Sequence, residues 1–318
     1  MANDGPHIMF SVVIPAYNAE ATICRALNSV VNQRFGDFEI IVVDDGSTDR
    51  TAERLTAYND PRLSVITQEN RGVSVARNRG VSEANAPWIA FLDADDSWAP
   101  TFLAAVHNAI QSWPDVEFFA AGYEIRNESG RLLRTSVRRN KPEVYLVRSY
   151  HWGRLTGTNH VMSSGCVISR DLFERSGGFH EGLVASEDLD FQSRVLYGRS
   201  FVHLNRPIAC YNYSPLPQKV DRMFRSPDPF VHIRNMVCCL DSRTASALHR
   251  TGLWLLSVRT AAWLWYVVRT RRPEHKTRLR NILSKRPILR VTALLLRELR
   301  RRKWERTQDK PGTGTASG

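Results

Sequence analysis

Short apolar runs alternate with helical patterns through the first third of this 318-residue chain. The candidate strands, rich in Val, Ile and Phe, are residues 10–14, 39–43, 63–66, 88–92 and 116–121. The helical patterns between them cover 17–30, 51–55, 73–84 and 101–112. Strands that alternate with helices at this spacing predict a mostly parallel sheet with helices on both faces. We therefore expect an α/β fold.

Polar residues follow three of these strands. The strand ends carry Pro15 to Asn18, then Asp44 and Asp45, and finally the stretch from Asp93 to Asp96. In open α/β sheets, ligands bind beyond the carboxyl ends of the strands. We therefore expect the three strand ends to meet in one crevice and to form one site.

The densest of these stretches holds three carboxylates, Asp93, Asp95 and Asp96, directly after an apolar strand. Carboxylates this close repel one another unless a cation or hydrogen-bond donors hold them. Oxygen ligands at this spacing suit a hard divalent ion, Mg²⁺ or Mn²⁺, which also binds substrate phosphate. The alternative is an acidic turn in which Asp96 caps the helix that follows.

Six short motifs follow one another along the chain: Val12 to Asn18, Val42 to Asp49, Asn70 to Asn78, Phe91 to Asp96, Gly177 to Phe179 and Ser186 to Asp188. In this order they resemble family 2 glycosyltransferases of the inverting GT-A type. Each motif is weak alone, but six in one order make a strong signal. The resemblance covers about residues 9–215. It implies a GT-A fold, with a mostly parallel central sheet flanked by helices, and a nucleoside-diphosphate sugar donor, most often a UDP-sugar.

The resemblance also implies roles for single residues. Pro15, Ala16 and Tyr17 would flank the nucleobase, while Asp44 and Asp45 would contact the base or ribose. The remaining residues of the donor and metal sites would be Arg77 near the nucleotide, Asp93 and Ala94 near the ribose, and Asp95 with Asp93 at an Mn²⁺ or Mg²⁺ ion. Asp188 would be the catalytic base. Asp44 and Asp45 as plain turn acids, and Tyr17 as a core residue, are the alternatives.

Displacement at an anomeric carbon requires stabilisation of the leaving group and removal of a proton from the acceptor. A divalent cation neutralises the charge that grows on the departing diphosphate. One carboxylate takes the proton of the acceptor hydroxyl, and the first turn of a helix favours an ionised Asp188. Without the other motifs, the sequence favours an ordinary first-turn acid for Asp188, and a solvated or structural residue for Glu187. Scattered histidines are usually structural, and the ones considered as metal ligands are His151, His160, His180 and His203.

The signature Gln-x-x-Arg-Trp of processive polysaccharide synthases is absent, and Gln192 to Val195 does not match it. A long multi-span membrane region is absent as well. Both observations favour transfer of a single sugar, of the hexosyltransferase type, to an acceptor hydroxyl. The acceptor we expect is a saccharide or a lipid-linked saccharide, in cell-surface glycan or glycoconjugate biosynthesis.

Charge is distributed unevenly along the chain. Residues 231–318 contain 20 Lys and Arg against 5 Asp and Glu, whereas residues 1–230 contain 24 against 27. We expect a catalytic domain at 9–225, a basic α-helical extension at 226–306 and a disordered tail at 307–318. The apolar and arginine-rich segment 253–304 predicts an interfacial helix on an anionic membrane surface. A helical subdomain packed on the catalytic domain or on a second subunit of a homo-oligomer is the alternative.

Nucleic acid is excluded as an expected partner, because the basic region lacks a nucleic-acid-binding motif. The five cysteines have no CxxC spacing and the N-terminus lacks a signal-peptide pattern. We therefore expect a cytoplasmic enzyme, with peripheral association at the inner face of the membrane left open. Two other functions remain as alternatives: a non-catalytic nucleotide-binding scaffold on the same fold, and a peripheral membrane protein whose basic tail is its main feature.

Overall fold

The computed structural model describes residues 8–151, 153, 161–183 and 187–213. The strands are β1 (Phe10–Ala16), β2 (Phe38–Asp44), β3 (Leu63–Thr67), β4 (Trp88–Phe91), β5 (Ser97–Trp98), β6 (Phe118–Asn127), β7 (Leu132–Thr135), β8 (Val144–Val147), β9 (Cys166–Ser169) and β10 (Phe201–Tyr213). The α-helices are α1 (Ile23–Val31), α2 (Thr51–Thr56), α3 (Val73–Ser82), α4 (Phe102–Ser112), α5 (Arg170–Arg175) and α6 (Glu187–Val195). A 3₁₀ turn, Ser163–Gly165, precedes β9. The predicted units 226–306 and 307–318, and the segment 253–304, lie outside the described residues.

One sheet runs through this part of the chain in the order β3-β2-β1-β4-β9-β6-β10-β5, with β7 on β6 and β8 on β10. Strands β3, β2, β1 and β4 are parallel, and β10 is parallel to β6. Strand β9 runs antiparallel between β4 and β6. The α/β fold with a central sheet of mainly parallel strands and flanking helices is thus confirmed.

Both faces of β1 are buried, which explains its continuous apolar sequence. Neighbouring residues of a strand point to opposite faces, so Val12 and Val13 belong to two different cores. Val12 packs in the core that contains Leu27 of α1, whereas Val13 packs in the core that contains Ala76 of α3. The helices therefore cover the sheet from both sides and leave its carboxyl edge for the loops.

Helix α1 begins at Ile23, later than the start at Tyr17 that the helical pattern predicts. Asn18 has a positive φ of 50°, outside the right-handed helical region. Its N–H donates to Ser47 Oγ at 3.0 Å, and the N–H of Ala19 donates to Thr51 Oγ1 at 2.7 Å. Side chains of the loop after β2 and of the first residue of α2 thus hold residues that would otherwise continue the helix.

After the predicted strand 116–121, the chain forms a hairpin of β6 and β7. Strand β6 extends to Asn127, six residues past the predicted end at 121, because its second half pairs with both β7 and β10. Of the helices that the structure describes, none combines the length and the apolar character needed to cross a bilayer.

Candidate active site

The first strand ends at Ala16, and the next residue leaves the core. Pro15 and Ala16 are buried, whereas Tyr17 is 51% exposed. Ala16 accepts a hydrogen bond from the N–H of Asp45 at 2.8 Å, which joins the ends of β1 and β2. The alternative that places Tyr17 in the core is therefore wrong. An exposed aromatic ring at a strand end is available to a planar ligand.

Asp44 and Asp45 are buried and hold the loops around them. Asp44 accepts hydrogen bonds from the N–H and the hydroxyl of Ser47. Asp45 accepts from Gln68 Nε2 at 2.8 Å and from the N–H groups of Arg71 and Gly72 at 2.9 and 2.8 Å. These contacts satisfy N–H groups at the start of α3 and order the loop between β3 and α3. Their predicted contact with the nucleoside stays a prediction.

Arg77 of α3 joins two of the predicted motifs. Its Nη2 donates to Asp93 at 2.6 Å, its Nη1 donates to Glu187 at 3.1 Å, and its guanidinium lies 5.0 Å from the ring centre of Phe179. The side chain is only 3% exposed. Burial alone would lower the pKa of Arg77, but the two carboxylates raise it above its usual value.

Glu187 is a partner of Arg77 and is not solvated. Burial and the neighbouring charge of Asp188 raise the pKa of Glu187, while Arg77 opposes that shift. Of the two roles that the sequence allows for Glu187, solvated or structural, the ion pair with Arg77 supports the structural one. The sequence contains the motif but has no signal for the long-range ion pair, since the two partners are 110 residues apart.

Asp188 lies in the first turn of α6, next to Glu187. It is half-buried, and its Oδ1 accepts a hydrogen bond from the N–H of Leu189 at 2.8 Å. The adjacent Glu187 binds Arg77, which also binds Asp93. The structure therefore brings Asp188 and the acidic loop, residues 93–96, to the same region of the molecule. Burial raises the pKa of the Cys166 thiol, and the charges of Asp188 and Asp93 raise it further, while Arg77 opposes the shift.

The acidic loop has one buried and one exposed carboxylate at its end. Asp95 is exposed, and its backbone carbonyl accepts from Arg25 Nη2 at 2.7 Å and from Asn212 Nδ2 at 3.0 Å. Ala94, which lies between Asp93 and Asp95, is buried. The loop backbone is thus fixed by α1 and by the end of β10, and it presents Asp95 to the outside.

Asp96 is fully buried and does not cap a helix, because α4 begins only at Phe102. The alternative that assigns it to a helix cap is therefore wrong. Asp96 accepts from the hydroxyl of Ser164 and from the N–H of Asn212, and Ser164 Oγ in turn accepts from the N–H of Asp93 at 3.1 Å. Burial, followed by the charges of Asp93 and Asp95, raises the pKa of Asp96 well above its usual range.

One further side chain at the site was missed by sequence reasoning. Asn212 stands outside the six motifs, and an amide without a local pattern gives no signal. Ser164 also stands outside the motifs, and the sequence gives no signal for its contact with Asp96. Asn78 lies within a motif, and it holds the turn at Gly177 to Phe179 through hydrogen bonds to the carbonyl and the N–H of Phe179, both at 2.9 Å. This turn supplies the aromatic ring that lies against Arg77.

The donor set fits a hard divalent ion that also binds a diphosphate. Asp93 and Asp95 supply oxygen ligands only, and such ions use one or two carboxylates together with substrate phosphate and water. Among the described residues, no group of three His, Cys, Asp or Glu side chains forms a metal cluster. His151 and His203 are buried against tyrosine rings, His180 is exposed, and His160 lies outside the described residues.

The chain is similar to known proteins over most of this region. A model of the family described as Glycosyl transferase family 2 matches residues 11–177. An uncharacterized glycosyltransferase of Haemophilus influenzae is 28% identical over 204 residues, which are 63% of this chain and 67% of that protein. The Escherichia coli UDP-Glc:alpha-D-GlcNAc-diphosphoundecaprenol beta-1,3-glucosyltransferase WfgD is 34% identical over 122 residues, 38% of this chain and about half (48%) of WfgD.

Among solved structures, S. aureus TarS 1–349 in complex with UDP-GlcNAc has a TM-score of 0.72 and 21% identity, over 87% of this chain and 80% of that chain. At this identity the likeness bears on the fold, and the predicted GT-A fold is confirmed. The family model covers more than half of the chain. The predicted resemblance is thereby confirmed, and the protein belongs to glycosyl transferase family 2.

Proposed function

We propose that this glycosyltransferase moves one sugar from a nucleoside-diphosphate sugar, a UDP-sugar, to an acceptor hydroxyl with inversion at the anomeric carbon. The observation that carries the proposal is the buried Arg77, which contacts both Asp93 of the acidic loop and Glu187 beside Asp188. This contact supports a single site in which a donor diphosphate and a base can act on the same carbon.

The donor would lie along the carboxyl edge of the sheet. The exposed ring of Tyr17, with Pro15 and Ala16 behind it, suits the face of a nucleobase. Asp44 and Asp45 fix the loops at its edge, and Asp45 Oδ2, which accepts one N–H, has capacity for a further donor. Asp93 and Ala94 would lie beside the ribose.

Asp95 and Asp93 would hold Mn²⁺ or Mg²⁺, which would supply positive charge to neutralise the departing diphosphate. Asp188 would accept the proton from the acceptor hydroxyl as that oxygen bonds to the anomeric carbon and the bond from this carbon to the diphosphate breaks. The acceptor approaches from the face opposite to the leaving group, which inverts the configuration. No covalent enzyme intermediate is required.

The names of similar proteins support the donor class. TarS was crystallised with UDP-GlcNAc, and WfgD is named for transfer from UDP-Glc to a diphosphoundecaprenol-linked sugar. For this chain we propose a saccharide or lipid-linked saccharide acceptor in cell-surface glycan or glycoconjugate biosynthesis. A cytoplasmic location, with peripheral contact at the membrane's inner face through residues 253–304, and a homo-oligomeric state remain proposals of the same kind.

The test is a thermal-shift screen of nucleoside diphosphates with and without Mn²⁺, followed by a transfer assay with the matching sugars. We expect UDP to raise the Tm of the full chain by about 5 °C when Mn²⁺ is present and ligand is near a hundred times its Kd. Stabilisation by another nucleotide alone would contradict the donor class. Binding of UDP without transfer to a broad panel of acceptors would favour the alternative of a non-catalytic nucleotide-binding protein.

A further inference from the structure

The hairpin of β6 and β7 ends in a surface that combines basic and apolar residues. Residues 131–141, which we call the basic hairpin surface, contain five Lys and Arg and no Asp or Glu. Residues 1–230 as a whole contain 24 basic and 27 acidic residues, so this charge is concentrated locally. Arg131, Arg134, Arg139 and Lys141 are exposed.

Two leucines accompany the basic residues. Leu132 and Leu133 are 46% and 51% exposed. Because successive residues of a strand point to opposite faces, one of two adjacent leucines is normally buried. Here all four residues of β7 are exposed, so the strand extends beyond the part of the sheet that the helices cover. Adjacent exposed leucines among arginines indicate a contact surface.

The hairpin tip is held in shape by its own hydrogen bonds. Asn127 Oδ1 accepts from the N–H of Arg131 at 2.8 Å, and the N–H of Gly130, whose φ is 77°, donates to the carbonyl of Asn127 at 2.8 Å. Arg126 Nη1 donates to the Gly130 carbonyl at 2.9 Å, and Arg126 Nη2 forms an ion pair with Glu124. The tip is therefore formed before it meets a partner.

The basic turn that follows β7 is also held by the fold. Asn205 of β10 is buried, and its Nδ2 donates to the carbonyls of Arg138 and Lys141 at 2.9 and 3.1 Å. Its Oδ1 accepts from the N–H of Arg138 at 2.8 Å. One buried amide thus fixes the turn that carries Arg138, Arg139 and Lys141 beside the hairpin.

The charge of this surface limits its partners. Residues 231–318 of the chain carry 20 basic and 5 acidic residues, so electrostatic repulsion opposes their packing on it. A second copy of the same surface would be repelled for the same reason. An anionic partner fits the arginines, and the exposed leucines gain free energy only where that partner also offers an apolar layer.

We propose that the basic hairpin surface docks on an anionic phospholipid bilayer, with Leu132 and Leu133 entering the headgroup boundary and the arginines contacting lipid phosphates. Basic side chains beside short apolar anchors are the combination that binds such interfaces. This surface is separate from the basic region 253–304, and its proposal does not depend on the transfer reaction.

Docking here would bring the candidate site close to the lipid. Glu124 of β6, Cys210 of β10 and Ser97 of β5 lie in one register row across three strands. Ser97 directly follows the acidic loop. Asn127 lies three residues farther along β6, which corresponds to about 10 Å beyond that row. The hairpin tip therefore projects from the carboxyl edge of the sheet, as the acidic loop does.

The test is co-sedimentation of the full chain with vesicles of phosphatidylcholine alone or with a quarter of phosphatidylglycerol, at about 0.1 M and about 0.5 M salt. We expect binding to the anionic vesicles at low salt. Leu132→Ser with Leu133→Ser should lower the partition coefficient about tenfold, and Arg131→Ser with Arg139→Ser should lower it about tenfold and weaken its salt dependence. All of these side chains are exposed, so melting temperatures should stay unchanged.

Two variants serve as matched controls. Val65→Ser changes an exposed residue of β3, the outermost strand on the side of the sheet away from β6 and β10. Arg50→Ser changes an exposed arginine that pairs with Glu20. Both should bind like the parent chain, and the basic C-terminal region is present in every variant. Unchanged partition of the hairpin variants would overturn the proposal. The hairpin variants are also compared with the parent chain for binding to a duplex oligonucleotide. If their affinity for the duplex falls more than their partition on vesicles, the proposal is overturned in favour of a nucleic-acid partner.

Discussion

Arg77 and Glu187 are 110 residues apart in the chain and meet in an ion pair at 3.1 Å. The pair joins α3 to the first turn of α6, and the second arm of the guanidinium reaches Asp93. Arg77 thus links the loop proposed to bind metal to the helix proposed to carry the base.

Replacement of Arg77 by Met should lower the free energy of unfolding by about 3 kcal/mol, because it leaves Glu187 and the half-buried Asp93 without their counter-charge. The matched control is Arg79→Met on the same helix. Arg79 pairs with Glu83, both partners are 44% exposed or more, and its loss should cost less than about 0.5 kcal/mol. Urea unfolding measures both values, and equal losses in the two variants would contradict the proposed importance of Arg77.

The part of the fold that follows from local sequence pattern was predictable. Continuous apolar strands with polar ends, such as β1 and its loop, indicate both the sheet and the edge at which ligands meet. The prediction of the sheet succeeds because it depends on residues close together in the chain. The family motifs add Arg77 and Asp188 as candidates, and the roles assigned to them stay predictions.

What could not be predicted depends on tertiary contacts. The partner of Glu187 lies far away in sequence, and the hydrogen bonds that delay α1 come from Ser47 in the loop after β2 and from Thr51 at the start of α2. The burial of Asp96 is the sharpest case. Its sequence context suits a helix cap, but Ser164 and Asn212, which belong to separate segments, enclose it.

Replacement of Asp188 by Asn should lower kcat by about 10³-fold or more, because the amide cannot accept the acceptor's proton. Affinity for UDP should change less than about threefold, since a base acts in the transition state and contributes little to donor binding. Kinetics and a UDP titration measure the two effects. Asp171→Asn, which removes an exposed carboxylate on α5, is the control and should transfer normally. Normal transfer by Asp188→Asn would refute its assignment as the base.

Replacement of Asp95 by Asn should abolish the Mn²⁺-dependent part of the thermal stabilisation by UDP. The neutral amide is a weaker ligand for a hard cation, and the diphosphate then loses its bridge to the loop. We expect the remaining stabilisation to resemble that of the parent chain in EDTA. The readout is the Tm with UDP, measured with Mn²⁺ and with EDTA. Full Mn²⁺ dependence in this variant would show that Asp95 is not a ligand.

The pair of Asp60 and Arg62 should make stability depend on acid pH. The hydrogen bond from Arg62, at 2.8 Å, lowers the pKa of Asp60 in the folded protein, and its carboxylate is 12% exposed. A group with a lowered folded pKa stabilises above its unfolded pKa and loses this contribution as pH falls through the folded value. Urea unfolding of Asp60→Asn should therefore show a smaller loss of stability below about pH 4 than the parent. Glu53→Gln, an exposed acid of α2, should retain the parent's pH slope.

Replacement of Ser164 by Ala should destabilise the acidic loop from within. The hydroxyl donates to the buried Asp96 and accepts from the N–H of Asp93, so its removal leaves two groups unsatisfied. Each such loss costs about 1–3 kcal/mol. The control is Ser82→Ala, where an exposed hydroxyl donates only to the Arg79 carbonyl, and it should change stability by less than about 0.5 kcal/mol. If Ser164→Ala unfolds at the same urea concentration as Ser82→Ala, the hydroxyl does not organise the loop. If it is less stable and also loses Mn²⁺-dependent binding of UDP, the buried network and the exposed Asp95 belong to one cooperative unit.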